Sequence, residues 1–185
     1  MRTFIAIEIP EHIQKKTFLL TEKIPPTYVR IKWVKQFNIH LTLLFLGDVD
    51  ETNMEMIKEG CLSVSSSYFG FDMALLNSGV FPNFRKPRII WVGISPDSKT
   101  NLVHLANLLR EALSFLKIDE RKGFSPHITL GRIKNIYNLL SLKDSIEQIS
   151  FKTEKFPVKE ITIFKSVLKP DGPIYTPMAK FPLRL

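Results

Sequence analysis

The chain has 185 residues, 44% of them hydrophobic and 24% charged, the make-up of a globular protein rather than a fibrous or disordered one. It has no apolar run of about 18 residues and its opening MRTFIAIEIPEH is broken by Glu8, which argues against a membrane span and a signal peptide, so a cytoplasmic protein is expected. A formal net charge of +8 favours a polyanionic partner, nucleic acid first, and a single cysteine excludes an internal disulfide.

In chain order, RTFIAIEIP (Arg2–Pro10) predicts a strand whose Ile5, Ile7 and Ile9 fill the core, leaving Arg2, Phe4 and Ala6 on the other face. Ile13, Thr17, Leu20 and Ile24 then recur at helical spacing, and Pro25–Pro26 ends that helix. NIHLTLLF (Asn38–Phe45) is the next strand. A second helix opens at Thr52 with Glu55 three residues on, a capping-box signature. It places Cys61 among Met54, Ile57 and Val64, as a buried inert thiol. A strand-like stretch from Phe71 to Phe81 and the turn-rich FPNFRKPR (Phe81–Arg88) follow.

The same order then recurs. RIIWVGISP (Arg88–Pro96) repeats the opening strand, Leu102, Leu105, Leu109 and Leu116 mark a helix, and SPHITLGR (Ser125–Arg132) is a second histidine strand. A helix is predicted from about Ile136 to Ile149, with Leu139, Leu142 and Ile146 on one stripe, and strand-like sequence runs from Phe151 to Leu168. The reading is β-α-β-α-β-β twice, over approximately 1–82 and 87–185, the two copies packing as one domain with a cleft between them. Approximate two-fold symmetry then brings His40 and His127, 87 positions apart, to equivalent places facing one another.

Alternation along a strand puts His40 and Thr42 on one face, and likewise His127 and Thr129. Two imidazoles across a cleft suit in-line displacement at phosphorus: a neutral one takes a proton from the attacking oxygen and a protonated one gives a proton to the departing oxygen. The threonine hydroxyls can donate to the non-bridging oxygens. No metal or other cofactor is expected, because two histidines without neighbouring carboxylates or thiolates make a poor zinc site. His12 and His104 have no such threonine and read as surface residues. Phe4, on the cleft side of its strand, is a candidate for stacking on a base. Lys32, Lys35, Arg85, Lys86 and Arg88 are candidate cations for an RNA backbone.

With these residues assembled, the stretches MRTFIAIEIP, WVKQFNIHLTLLFLGDV, FPNFRKPRIIWVGI, FSPHITLGRI and GPIYTPMAKFPL resemble the two-histidine phosphoesterase superfamily. Within it the chain looks like the RNA 2′,3′-cyclic phosphodiesterases, historically called 2′-5′ RNA ligases. The resemblance implies a bilobed α+β fold over 1–185: two pseudo-symmetric lobes, each an antiparallel sheet backed by helices, with the active site in the central cleft. The lobes need not coincide with the sequence halves. It implies hydrolysis of RNA 2′,3′-cyclic phosphate ends to a 2′-phosphate, with His127 as general base and His40 as general acid. Thr42 and Thr129 match the phosphate-holding threonines, and Arg132 matches a basic position that binds the nucleotide. Gly131 stands where relatives often carry alanine. The expected substrate is an RNA end or a cyclic nucleotide, handled by a monomer away from membranes. The rival readings are 2′-5′ joining of RNA (tRNA) ends, hydrolysis of another small cyclic phosphate, and an RNA-end binder without turnover.

Overall fold

The computed structural model describes residues 1–116, 118 and 123–185. It is a mixed α+β structure in which helices back two four-stranded antiparallel sheets. The first half supplies β1 (Arg2–Glu8), α1 (Glu11–Phe18), β2 (Val29–Trp33), β3 (His40–Asp48), α2 (Glu51–Ser67), β4 (Phe71–Met73) and β5 (Leu75–Phe81). The second supplies β6 (Ile89–Ile94), α3 (Pro96–Ala112), β7 (Ile128–Ile136), α4 (Leu139–Glu147), β8 (Phe156–Val158), β9 (Glu160–Lys169) and β10 (Gly172–Pro182).

One sheet runs β10-β9-β1-β3 and the other β2-β7-β6-β5. Each is therefore built from both halves of the chain. β1 and β3 take β9 as their third strand, whereas their equivalents β6 and β7 take β5 from the first half. The short strands β4 and β8 pair with each other. This exchange makes the two halves structurally interdependent. β2 and β10 extend the sheets at non-equivalent places, beside β7 and beside β9.

The core follows the apolar periodicity. Ile5, Ile7, Ile13, Leu41, Leu43, Ile57, Leu102, Leu105, Ile128 and Leu130 are all at most 2% exposed and belong to one cluster, each worth about 1.5–3 kcal/mol of burial. Cys61 is fully buried in it, and that burial pushes its thiol pKa up to about 12. Gly60 marks the close approach of α2 to the end of α3: a Cβ there would stand 2.7 Å from Leu113 Cδ2.

Several boundaries differ from those the sequence predicts. α2 starts one residue before Thr52, with Asp50 at its N-cap, because Asp50 is already extended (φ −76°, ψ 151°). β7 runs through Ile136, which pairs with Val29, so the following helix begins only at Leu139 behind an Asn138 cap whose Oδ1 accepts from Ser141 N at 3.0 Å. Neither β2 nor β10 figures among the strands expected from periodicity. No helix among the described residues is long and apolar enough to cross a membrane.

Candidate active site

The route of the chain links the strands of the two histidines. β2 pairs with β7 in one sheet, and Val34 N–H just beyond it still donates to Leu130 O at 2.8 Å. One turn later, over Gln36–Asn38, the chain enters β3 of the other sheet at His40. His40 is thus delivered by a segment that has just left the strand opened by His127.

Both imidazoles are held in the same way. His40 Nδ1 lies 2.7 Å from Asn38 O and His127 Nδ1 lies 2.7 Å from Ser125 O. A carbonyl only accepts, so Nδ1–H is the donor in each case, and Nε2 is left as the atom that gains or loses a proton. At His40 that atom is 3.0 Å from Thr42 Oγ1. Burial lowers the pKa of both rings below the usual 6.5, against the opposing pull of the carbonyl bonds. For His40 a further lowering comes from the charge of His127, so protonating one ring disfavours protonating the other.

The aromatic surroundings differ between the lobes. The His40 ring lies 5.0 Å from Phe4 and is met edge-on by Tyr175 at 5.1 Å and 86°. Phe4 stacks in turn on Phe164 at 5.3 Å and 15°. Phe4, Ala6, Phe164 and Tyr175 form a cluster separate from the main core, on the cleft side of β1. Phe4 therefore has the facing expected of it, but it is 3% exposed. Packed against Phe164, His40 and Tyr175, it has almost no exposed surface to offer a base and serves instead as a floor for His40, which argues against the expected stacking role. Among the described residues His127 meets a single ring edge-on, Phe81 at 4.9 Å and 81°.

Arg132 comes to the face of Thr129 through a bulge. Simple alternation from Thr129 would put a residue three places on at the opposite face. In the β6–β7 ladder, however, Thr129 pairs with Trp91 and Gly131 with Ile90, so that Leu130 is the extra residue and Arg132, opposite Ile89, returns to the face of Thr129. The β1–β3 ladder has the same irregularity at the equivalent place. Thr42 pairs with Ala6 and Leu44 with Ile5, which makes Leu43 the extra residue and brings Phe45 opposite Phe4. Phe45 is 65% exposed and is the counterpart of Arg132. Burial raises the pKa of the Tyr175 phenol, and the positive charges of Arg132 and Arg2 partly oppose that rise.

Two contributors escape the sequence reading. Asn38, 6% exposed, donates from Nδ2 to Pro173 O at 2.9 Å and so ties β10 to the residue whose carbonyl holds His40. Tyr175, two residues after that anchor, closes one side of the imidazole. The stretch GPIYTPMAKFPL contains Pro173 and Tyr175, but its prolines hide a strand. Other predicted residues lie elsewhere: His12 is 62% exposed and pairs with Glu154 at 3.5 Å, and His104 is exposed beside Tyr68. Of the candidate cations, Lys32 stands opposite Arg132, while Arg85 and Lys86 lie in a turn whose backbone N–H groups donate to Asn83 Oδ1. Among the described residues no three His, Cys, Asp or Glu side chains gather where a metal ion could be held.

Comparison with known proteins gives a family. The model of the LigT-like phosphoesterases matches twice, over residues 7–91 and 92–175. An RNA 2′,3′-cyclic phosphodiesterase of Methanocaldococcus jannaschii is 37% identical over 95% of this chain and 96% of its own length. One from Thermotoga maritima is 35% identical over 95% and 91%. Among solved structures, TT0787 of Thermus thermophilus superposes with a TM-score of 0.82 at 29% identity, covering 100% of this chain and 98% of that one. Escherichia coli LigT in complex with 3′-AMP gives 0.77 at 26% identity with the same coverage. With its family model matched once over each half and a histidine strand in each match, the chain belongs to the LigT-like phosphoesterase family, within the two-histidine superfamily.

Proposed function

We propose that this protein opens the 2′,3′-cyclic phosphate at the end of an RNA to leave a 2′-phosphate, with His127 as general base and His40 as general acid. A water oxygen attacks phosphorus and its proton passes to His127 Nε2. The P–O3′ bond breaks on the opposite side, and the 3′ oxygen takes the proton carried on His40 Nε2. Thr42 and Thr129 donate to the non-bridging oxygens, where negative charge grows. Arg132 holds the nucleotide by its phosphate. The observation that carries the reading is the paired restraint of the two imidazoles, each with Nδ1 bonded 2.7 Å from the carbonyl two residues before it. That restraint fixes one tautomer and leaves Nε2 for chemistry on both sides of a single cleft.

The pKa directions suit a pair that shares one proton. Burial favours the neutral rings, and the charge of His127 adds a smaller lowering at His40. A bound cyclic phosphate brings a negative charge to the site and favours the imidazolium the acid role needs. Both histidines come from one chain, so one copy holds a complete pair; the protein acts as a monomer in the cytoplasm, its two sheets forming the lobes of one domain over 1–185.

The test is to incubate the protein, with chelator present, with a short RNA ending in a 2′,3′-cyclic phosphate and to identify the product. The expected result is a 2′-phosphate made by the wild type and lost in both His40→Ala and His127→Ala. A 3′-phosphate would overturn the leaving-group assignment. RNA retained without turnover by wild type and variants alike would point to a binding protein, and 2′-5′-joined RNA to the ligase direction.

A further inference from the structure

The reacting phosphate occupies only the cleft, yet the sheet surface beside it suits a longer anion. β2 presents Arg30 and Lys32 to solvent, with Val29, Ile31 and Trp33 on its other face. Across the ladder Lys32 stands opposite Arg132 and Arg30 opposite Asn135. The register shift between Arg30 and Ile31 leaves Lys134 in a bulge, exposed like Arg30, Lys32 and Arg132. Four cations thus lie on two adjacent strands, leading away from the site. At the rise of an extended strand, Arg132 is about 17 Å and Lys134 about 23 Å along the chain from His127. Lys32 Nζ also reaches Pro170 O at 3.2 Å, so the β9–β10 turn borders the stripe at its cleft end.

The far end of the stripe carries an aromatic ring. Tyr137 is 58% exposed, and its backbone N–H donates to Tyr28 O at 2.8 Å. At the edge of the sheet it shares a half-open pocket of about 360 Å³ with Arg30, the other walls including Glu22, Ile24 and the Val29, Ile31 and Trp33 of the opposite face of β2. A row of cations ending on an exposed ring is the arrangement that takes a single nucleic-acid strand, with phosphates on the charges and a base on the ring. A duplex has no unstacked base to offer that ring.

We propose that β2 and β7 form a track for the single RNA strand running 5′ from the reacting end. Lys32, Arg30 and Lys134 take successive phosphates, and Tyr137 stacks a base upstream. This deepens the RNA-end reading and rests on it: the substrate becomes a single-stranded oligonucleotide in preference to a cyclic mononucleotide.

The experiment compares kcat/KM for a cyclic mononucleotide with that for an oligoribonucleotide of about ten nucleotides ending in the same cyclic phosphate, over a range of salt. The double variant Arg30→Ser/Lys134→Ser is expected to lower the oligomer-to-mononucleotide ratio about tenfold and to make the salt slope shallower by about 1.4, two single-strand phosphate contacts. Tyr137→Ala is expected to lower the same ratio about fivefold or more, the loss of one stacked base. Arg85→Ser/Lys86→Ser removes equal charge from a turn outside the track, and thermal melting checks that every variant folds. An unchanged ratio in the track variants, or an equal loss in the turn variant, overturns the proposal. If the wild type turns over neither substrate, the hydrolase reading has failed, and fluorescence anisotropy with labelled RNA then judges the track alone. Weaker binding in the Arg30/Lys134 variant but not in the Arg85/Lys86 variant supports it, and equal binding overturns it.

Discussion

His40 and His127 open equivalent strands with the same H-x-T spacing, and each rests its Nδ1 on the carbonyl two residues back at 2.7 Å. The strands diverge in what surrounds that shared frame. His40 enters an edge strand, packs on Phe4 and Tyr175, and has an exposed Phe45 five residues later. His127 leads into a strand paired on both sides, meets one ring, Phe81, and has Arg132 at the place of Phe45. The duplicated part governs where a proton is held. The divergent part governs charge and access, so the lobes should be alike in their catalytic atoms and unlike in binding.

The largest expected effects test the likeness. His40→Ala and His127→Ala should each lower kcat/KM on cyclic-phosphate RNA by about 10²–10⁴. The double variant should be little worse than either single one, because the two residues act as a unit. A loss confined to one histidine would break the comparison at its centre. Thr42→Val and Thr129→Val should each cost about 10² in kcat, as loss of one donor to a charged transition state does. Unequal losses would mark one threonine as the main phosphate donor.

The next pair tests the unlikeness. Arg132→Ala should raise KM by roughly ten- to a hundredfold, the worth of a charged hydrogen bond to phosphate. Phe45→Ala should change KM by less than about threefold, as an exposed ring outside the track would. Equal effects would mean that the lobes bind substrate symmetrically. Asn38→Ala removes the anchor to Pro173 O from a buried site and should cost about 1–3 kcal/mol in chemical denaturation, with no counterpart expected at Ser125, which is exposed.

The smallest effect is in titration. Both histidines bind a proton more weakly when folded than the usual 6.5 of the unfolded chain. Between the folded values and 6.5 the unfolded chain therefore carries more protons. Their contribution to stability is complete above 6.5 and is lost as pH falls through the folded values. Melting temperatures measured across this window should fall toward acid, and less so in His40→Gln/His127→Gln. In His127→Gln the His40 pKa, followed by NMR, should rise toward 6.5, since one of the causes lowering it has gone. No rise would show that the two rings do not sense each other.

Much of the site was legible because its signals are local. The alternation of NIHLTLLF and SPHITLGR placed each histidine beside its threonine, and the repeat made the two strands equivalent. The stripe of Ile5 and Ile7 correctly turned Phe4 toward the cleft. Exposure was not legible: the rings of Phe164 and Tyr175 that cover Phe4 come from residues more than 150 positions away. β10 escaped notice because Pro173, Pro177 and Pro182 interrupt its pattern, which an edge strand tolerates. Tyr175 and the Asn38 anchor were lost with it. The extent of β7 was misjudged because Ile136 fits a helical stripe as well as a strand, and its pairing with Val29 decided for the strand.

By itself the sequence determined which residues are candidates for the chemistry, that they occur twice, and which neighbours share a face, since each follows from chemical identity and the two-residue period of a strand. Tertiary structure alone decided that β5 and β9 are exchanged between the halves, that bulges at Leu43 and Leu130 return Phe45 and Arg132 to the faces of Thr42 and Thr129, and that burial lowers the pKa of both imidazoles. Ladder register and desolvation depend on groups far away in the chain, which no local period records.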